Sequence, residues 1–377
     1  MFVSVTTIHK LEPMRDNNLP VSIVLTAYNE RNNLHELLER IQRSMEPLRG
    51  PYEIIIVDDD SADETWSVAS NYPDDRSVRF IRTKRIKGCA PAVLEGIKAS
   101  NYNIVAVMDA ALQHPPEMLP VLISNVSNGA DIAIGSRFVG PGAGQQRGLF
   151  RRPVSRGADL LARTAFRKIR SVKDVESGFF AFRKDVVAHA NLNPAGNAIL
   201  LEILVLGNYK SVSEIEYSVD VRTARARSLG VNNTATYVHH LSSLYARSGE
   251  LLRFLKFCTV GTIGAVVNLL VLYALTEFGV FYLLSGLAGI EAGLLSNFVF
   301  NRSWTYKDRG TRGLRSVLTA LYRDHAVRFV GIMLNLIILW LLTSLFGVYY
   351  LISQLIGITV GMLWNYGGNQ WWTWEPS

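Results

Sequence analysis

Two hydrophobic patterns divide the chain. Between residues 21 and 140, short apolar runs at 21–25, 53–57, 104–108 and 131–134 alternate with mixed stretches at about 31–45, 62–70, 91–100 and 116–127. Runs of four or five apolar residues suit strands buried on both faces, and the mixed stretches have the length and spacing of amphipathic helices. Alternation of the two predicts a mostly parallel α/β sheet with its ligand at the carboxyl ends of the strands. From residue 257 the pattern changes to spans of about twenty residues, at 257–276, 278–301, 329–346 and 347–372. Residues 329–374 contain no Asp, Glu, Lys or Arg over 46 positions, about twice the roughly 20 that cross a bilayer. The loops at 277–279 and 346–348 are short, which makes each pair of spans a helical hairpin.

The two hairpins repeat. Residues 279–306 laid over 347–374 match at 14 of 28 positions, including Asn297 with Asn365, Asn301 with Asn369, Trp304 with Trp372 and Thr305 with Thr373. Because each unit has two spans, both copies enter the membrane from the same side, as in parallel repeats. Segments 234–252 and 314–327 mix Leu, Val and Tyr with His, Ser and Arg, a pattern that suits either a helix lying along the headgroups or one packed on a soluble domain. Trp304, Trp371, Trp372 and Trp374 fall where interfacial aromatics are expected. Glu291 is the lone acid within a span, a candidate for function or for a structural bond to a neighbouring helix. With so few polar residues in the spans, a large polar cavity for a transported solute is not expected.

Charge agrees with this division. The 377 residues carry a net charge of +7, but residues 231–377 hold only 10 Lys/Arg and 6 Asp/Glu. Residues 302–328 bear seven Lys/Arg against two acids, Arg247, Arg253 and Lys256 precede the first span, and the opposite loops have no basic residue. The positive-inside rule places the head, this central loop and the C-terminus in the cytoplasm. Residues 1–20 lack the apolar stretch of a secretion signal, in line with a cytoplasmic head. Cys89 and Cys258 are too few for a disulfide framework or a four-cysteine zinc site. No zinc-finger or RNA-binding signature points to nucleic acid. The organisation expected is an N-terminal segment at 1–20, a head at 21–230, an interfacial helical segment at 231–256 and a four-span domain at 257–377 with a second interfacial segment at 314–327.

Polar clusters follow three of the head's apolar runs: Tyr28-Asn29-Glu30, Asp58-Asp59-Asp60 and Asp109. No Gly-x-Gly-x-x-Gly follows the first run and no phosphate-loop Lys is present, which disfavours dinucleotide oxidoreductases and P-loop ATPases. Acids at strand ends suit a hard divalent cation on a nucleotide diphosphate, and Asp109 with Gln113 is the candidate pair. The simpler alternative for a single such Asp is a helix cap.

Residues 21–30, Ile55-Ile56-Val57-Asp58-Asp59-Asp60-Ser61, the run from Met108 through Asp109, Gln113 and His114 to Glu117, and Gly135-Ser136-Arg137-Phe138 resemble family 2 glycosyltransferases of the polyprenol-phosphate (dolichol-phosphate) mannose synthase type. Ser155-Arg156-Gly157-Ala158, Ser177-Gly178-Phe179 and residues 200–204 extend the match, and the membrane half resembles a GtrA-like domain. The resemblance implies a Rossmann-like A-type glycosyltransferase fold followed by a four-helix transmembrane domain. It implies transfer of a sugar from a nucleotide donor to a membrane lipid phosphate with inversion, assisted by Mg²⁺ or Mn²⁺. By motif position, Tyr28, Glu30, Val57 and Asp59 border the nucleotide, and Asp109, Ala110 and Gln113 lie at the diphosphate and metal. Arg137 and Arg151 meet the acceptor phosphate, and Arg222 the donor diphosphate; Asp109, Gln113 and Arg137 carry the catalysis.

The chain departs from that pattern at several places. Ala111 stands where the family has the second acid of an Asp-x-Asp metal motif, removing a ligand and a negative charge. Thr26-Ala27 replaces the usual Pro-Thr, Gly88-Cys89-Ala90-Pro91 replaces Gly-Leu-Gly-Thr, and Ser228 stands for a Lys. Three readings follow: a mannosyl transferase using GDP-mannose, a glucosyl transferase using UDP-glucose, and a catalytically impaired head or carrier that binds lipid-linked sugars without turning them over.

Overall fold

The computed structural model describes residues 4–8, 18–71, 77–83, 88–139, 162–194, 196, 198–217, 231–309 and 313–374. They form two compact units, one ending at Ser248 and the other starting at Gly249.

The first unit is built on an eight-stranded sheet. Its strands are β1 Ser4–Ile8, β2 Val21–Ala27, β3 Tyr52–Asp58, β4 Val78–Arg82, β5 Ile104–Asp109, β6 Ile132–Ser136, β7 Phe180–Arg183 and β8 Ser211–Glu216. The order is β1-β8-β6-β7-β5-β2-β3-β4, with β7 antiparallel to both β5 and β6 and every other pair parallel. The strands of the apolar runs are buried on both faces. Val24, Ile55, Val57, Val105 and Val107 join one core cluster, and Ile23, Leu25, Ile54, Ile56, Ala106 and Met108 join the other, the alternation a pleated strand imposes. Helices α1 Arg31–Met45 and α3 Leu119–Ser127 cover one face, while α2 Cys89–Ala99 and α4 Ile199–Leu206 cover the other. In α1, Leu34, Leu37, Leu38, Ile41 and Met45 are buried, the three-and-four spacing that made the helix legible. The stretch at 62–70 forms a 3-10 turn at Thr65–Asn71, and β1 draws part of the N-terminal segment into the sheet as its edge.

Helix α5, Val231–Arg247, belongs to this unit. Leu244 is fully buried in a head cluster with Tyr237, Leu241 and Tyr245 packed against it. Arg247 pairs through Nη2 with the fully buried Glu202 of α4. Of the two settings open to this segment, the structure adopts packing on the head.

The second unit has four helices: α6 Glu250–Glu277, α7 Tyr282–Phe300, α8 Leu314–Trp340 and α9 Tyr350–Gly368. Three candidate spans, Glu250–Glu277, Tyr282–Thr305 and Leu314–Leu345, are long and apolar enough to cross a membrane. The expected count of four spans is therefore not matched by these criteria. Helix α9 is 19 residues long and uncharged, but Gln354, Asn365 and its glycines lower its apolar character. Residues 314–327 are not a separate surface element, because α8 runs unbroken through them into the third span.

The internal repeat is visible as packing. In each hairpin an asparagine amide lies against a glycine of the partner helix, where a Cβ would overlap it: Asn297 on Gly264 and Asn365 on Gly331. Gly293 and Gly361 meet the carbonyls of Gly264 and Gly331. Both repeats close in a π-turn, Asn301–Thr305 and Asn369–Thr373, which directs Tyr306 and Trp374 inward. These two aromatics occupy matching repeat positions and stack at 5.5 Å. Trp374 is fully buried and donates to Asn369 Oδ1 at 2.9 Å, so it is a core residue rather than an interfacial one. Trp304 and Trp372 remain exposed. Glu291 finds a partner on α8, with His325 Nε2 3.2 Å from its Oε1.

Candidate active site

The site lies where the strand order reverses. Strand β2 has β3 on one side and β5 on the other, and such switch points leave a crevice at the carboxyl edge. Thr26 and Asp109 are registered neighbours there, as are Ala27 and Asp58. The loops leaving all three strands contain a non-glycine residue at positive φ: Asn29 at 56°, Asp60 at 56° and Leu112 at 54°. Such conformations cost energy and collect where a loop must aim its groups. Local bonds hold them. Asn29 N donates to Ser61 Oγ at 2.8 Å, Ala62 N donates to Asn29 Oδ1 at 3.0 Å, and the Ser61 hydroxyl donates to the buried Asp58. Glu30 is fixed by its own N–H on Thr65 Oγ1 at 3.0 Å and by Asn33 Nδ2 on its Oε2 at 2.6 Å.

Asp109 is half-buried and held on three sides. Its Oδ1 accepts from Thr26 Oγ1 at 3.0 Å and from the Cys89 thiol at 3.4 Å, and Thr26 and Cys89 meet at 3.1 Å. Its backbone N–H donates to His114 Nδ1 at 3.3 Å, so the ring is neutral with its proton on Nε2. Burial pushes the His114 imidazole below its ordinary range, with the charge of Arg137 acting in the same direction. His114 stacks on Phe179 at 5.1 Å, and Tyr217 closes the cluster edge-on to both rings. Burial raises the Tyr217 hydroxyl's pKa. The His114–Tyr217 pair joins two centres, because each ring feels the charges of Asp109 and Arg137.

Arg137 follows β6 and is clamped. Asp174 Oδ2 accepts from its Nε at 2.8 Å and its backbone N at 3.1 Å, while Oδ1 accepts from Nη2 at 2.8 Å. Burial alone would lower the guanidinium pKa, but the bond and charge of Asp174 hold it above its ordinary value. Asp174 is 1% exposed and donates its own N–H to Glu214 Oε1 at 3.1 Å, beside Lys173 N on Oε2 at 2.9 Å. Burial raises the pKa of Glu214. The outer edge of Arg137, at Nη1, has no bond to another described residue.

The sequence candidates therefore divide. Asp109, Arg137 and the loop carrying Gln113 gather around His114. Tyr28 is exposed at the rim. Asp59 is half-buried, and its Oδ1 is buried without a partner among the described residues. Val57 and Ala110 are fully buried in the core clusters, which leaves their backbones rather than their side chains to border a nucleotide. Arg151 and Arg222 lie outside the described residues. Sequence reasoning missed Asp174 and Glu214; Asp174 stands three residues before Ser177-Gly178-Phe179, and nothing local marks Glu214.

Comparison with known proteins fits this geometry. Glycosyl transferase family 2 matches residues 22–190, and the GtrA/DPMS transmembrane domain matches residues 256–374. A dolichol-phosphate mannosyltransferase of Pyrococcus furiosus is 39% identical over 94% of this chain and 99% of that protein. The chain belongs to the dolichol-phosphate mannosyltransferase family. The Mycosarcoma maydis member is 31% identical over 67% of this chain and 85% of its own length. A solved glucosyl-3-phosphoglycerate synthase of Mycobacterium tuberculosis, with phosphoglyceric acid, is 19% identical with a TM-score of 0.50, over 66% of this chain and 88% of that one. That is a likeness of fold alone.

Within this family two of the departures noted in the sequence converge on one atom. Thr26 and Cys89 both replace the usual residue, and both contact Oδ1 of Asp109. Among the described residues no group of three or more His, Cys, Asp or Glu could hold a metal alone. One carboxylate, whose bonds from Thr26 and Cys89 both fall on Oδ1, and the amide of Gln113 four residues on fit a hard cation that arrives with a diphosphate, whose oxygens would complete the shell.

Proposed function

We propose that this chain transfers a hexose, mannose from GDP-mannose, to a polyprenyl or dolichyl phosphate at the cytoplasmic face of the membrane, with inversion at the sugar carbon. The observation that carries the reading is Arg137, clamped by a buried acid beside the Asp109–His114 cluster at the switch point of a family 2 head. An acceptor phosphate monoester is largely anionic at neutral pH, with a second pKa near 6, so it attacks without a general base. Its oxygen forms the bond to the anomeric carbon as the bond from that carbon to the nucleoside diphosphate breaks. Arg137 presents its outer edge to the acceptor phosphate, while Asp174 stops the guanidinium from turning toward the donor. Asp109 and Gln113 would hold Mg²⁺ or Mn²⁺, which when bound offsets the charge of the departing diphosphate. Thr26 and the Cys89 thiol keep Oδ1 of Asp109 occupied and so direct its other oxygen outward. Asp59, directly after β3 and half-buried, would meet the N–H groups of the base with its carboxylate; guanine presents two adjacent donors to a carboxylate and uracil only one. The basic loops support a cytoplasmic head with α9 as a fourth span, and Arg151 and Arg222 remain candidates for the acceptor and donor phosphates.

Ala111 favours a second reading, in which the head binds donor but does not turn it over. Sugar transfer by the purified full chain in detergent, with GDP-mannose or UDP-glucose, either metal, and an Asp109→Asn control, separates them. Mannose transfer lost in the control and in chelator supports the proposal. Transfer from UDP-glucose alone reassigns the donor, and nucleotide binding without transfer from either donor overturns the transferase.

A further inference from the structure

The loops that leave β2 and β3 are joined more closely than neighbouring strands require, and one side chain so far without a role organises the join. Helix α1 begins directly after Glu30, so the backbone N–H groups of Glu30 and Arg31 have no partner within the helix. The Glu30 side chain does not cap it. Both N–H groups find acceptors on the β3 loop instead, 35 and 32 residues along the chain. Glu30 N donates to Thr65 Oγ1 at 3.0 Å, and Arg31 N donates to Asp63 Oδ2 at 3.1 Å. The other carboxylate oxygen of Asp63 accepts from the Thr65 N–H at 3.0 Å and from the Thr65 hydroxyl. Asp63 therefore holds Arg31 directly and Glu30 through Thr65. A hydroxyl that donates to a carboxylate is polarised toward the next N–H it accepts, and Thr65 is fully buried, away from competing water. Burial alone would raise the Asp63 carboxyl, but the bonds from Thr65 and Arg31 hold it below its ordinary value. Its negative charge also lies at the N-terminus of a 15-residue helix, where it is favourable. Glu64, between the two, is held at a φ of 60°. A non-glycine residue keeps that conformation only where its surroundings impose it.

We propose that Asp63 is a positioning residue for the nucleotide donor. Through the Arg31 N–H and the Thr65 hydroxyl it fixes the backbone of Glu30, and with it the loop that carries Tyr28, against the β3 loop that carries Asp59. In this role Asp63 does not touch the substrate. Loops that are already ordered lose less freedom when a ligand binds, and that saving is what Asp63 supplies. The inference deepens the transferase reading and rests on its placing of Tyr28, Glu30 and Asp59 at the nucleotide. None of the bonds in this clasp involves Asp109, Arg137 or Asp174. Its loss should therefore fall on the donor and spare the acceptor phosphate.

The test pairs hydrogen exchange with ligand affinity, on the full chain in detergent. GDP-mannose and UDP-glucose, each with Mn²⁺, are the donor probes, and polyprenyl phosphate is the acceptor probe. Asp63→Ala should speed exchange at the Glu30 and Arg31 amides and weaken the donor that the parent binds at least tenfold. Affinity for polyprenyl phosphate should stay within about twofold of the parent. Thr65→Val keeps the side chain's shape and the bond from Arg31 to Asp63, yet should weaken the donor at least threefold. Thr65→Ser, which keeps the hydroxyl, should remain within about twofold, and this pair decides the matter if Asp63→Ala does not fold. Faster exchange with unchanged donor affinity makes Asp63 a helix cap alone and overturns the inference. Equal loss of donor and acceptor binding, or a Thr65→Ser variant as weak as Thr65→Val, does the same. A parent chain that binds neither nucleotide sugar overturns the donor reading and this inference with it. A parent that binds one of them no better than Asp63→Ala does overturns this inference by itself.

Discussion

Asp174→Asn is the most informative perturbation of the head. Asp174 receives three bonds from Arg137, at 2.8, 2.8 and 3.1 Å, from a position that is 1% exposed. The amide keeps the shape and one acceptor oxygen, but it turns an NH₂ toward one of the two guanidinium donors and removes the charge. Breaking a buried ion pair costs about 3–5 kcal/mol. The lower end applies here, about 3 kcal/mol, because the Arg137 side chain is 34% exposed and water can reach the freed donor. The larger consequence is positional. An Arg137 released from its clamp no longer presents a fixed edge, and loss of one oriented electrostatic contact lowers the rate by about 10²–10³. The loss should appear in kcat/KM for polyprenyl phosphate, with the KM for the nucleotide sugar within about twofold of the parent. Steady-state transfer with each substrate varied in turn measures the split. If donor and acceptor terms fall together, or if acceptor kcat/KM changes less than about threefold in a folded variant, Asp174 does not act through Arg137 on the acceptor.

Four further outcomes are expected. His114 is buried neutral with its pKa held down, so the native state binds fewer protons than the unfolded chain as pH falls through 6.5, and stability should drop by up to about 1.4 kcal/mol per pH unit below that point. Thermal denaturation against pH should show that acid slope, and His114→Phe, which can keep the stack on Phe179, should flatten it. Ala111→Asp restores the second acid and should tighten Mn²⁺ binding in the presence of GDP at least tenfold, read by the loss of the free Mn²⁺ resonance signal; unchanged affinity would place residue 111 outside the cation's reach. Thr26→Val removes the hydroxyl bond to Asp109, worth about 1 kcal/mol, and turnover should fall about fivefold with the acceptor KM unchanged. Arg247→Met leaves the buried Glu202 without its cation, and limited proteolysis should then release α5 from the head under conditions where the parent chain resists.

How much of this was legible in advance follows from the range of each interaction. Helix α1 is visible in the sequence because its burial repeats every three or four residues, and β2, β3 and β5 because strands covered on both faces are apolar throughout. Asp109 stood out by local means as an acid directly after such a strand. The membrane repeat was equally plain, since matched Asn, Trp and Thr at fixed spacing are a property of the string itself. Other features depend on pairs that no local pattern relates. Asp174 is 37 residues from the arginine it clamps, and Glu214 reaches the site only because β8 pairs with β6. Thr26 and Cys89 read as separate departures until β2 and the start of α2 brought both to one oxygen of Asp109. Composition assigned Arg328 to a basic loop and Trp374 to the interface, because a charge or an indole ring is most often found there. The continuous helix α8 and the inward π-turn bury them instead. Periodicity and composition record which residues leave water. Their partners are set by the chain's path in three dimensions, and on those partners the arginine clamp, the carboxylate and the packing of the membrane repeats depend.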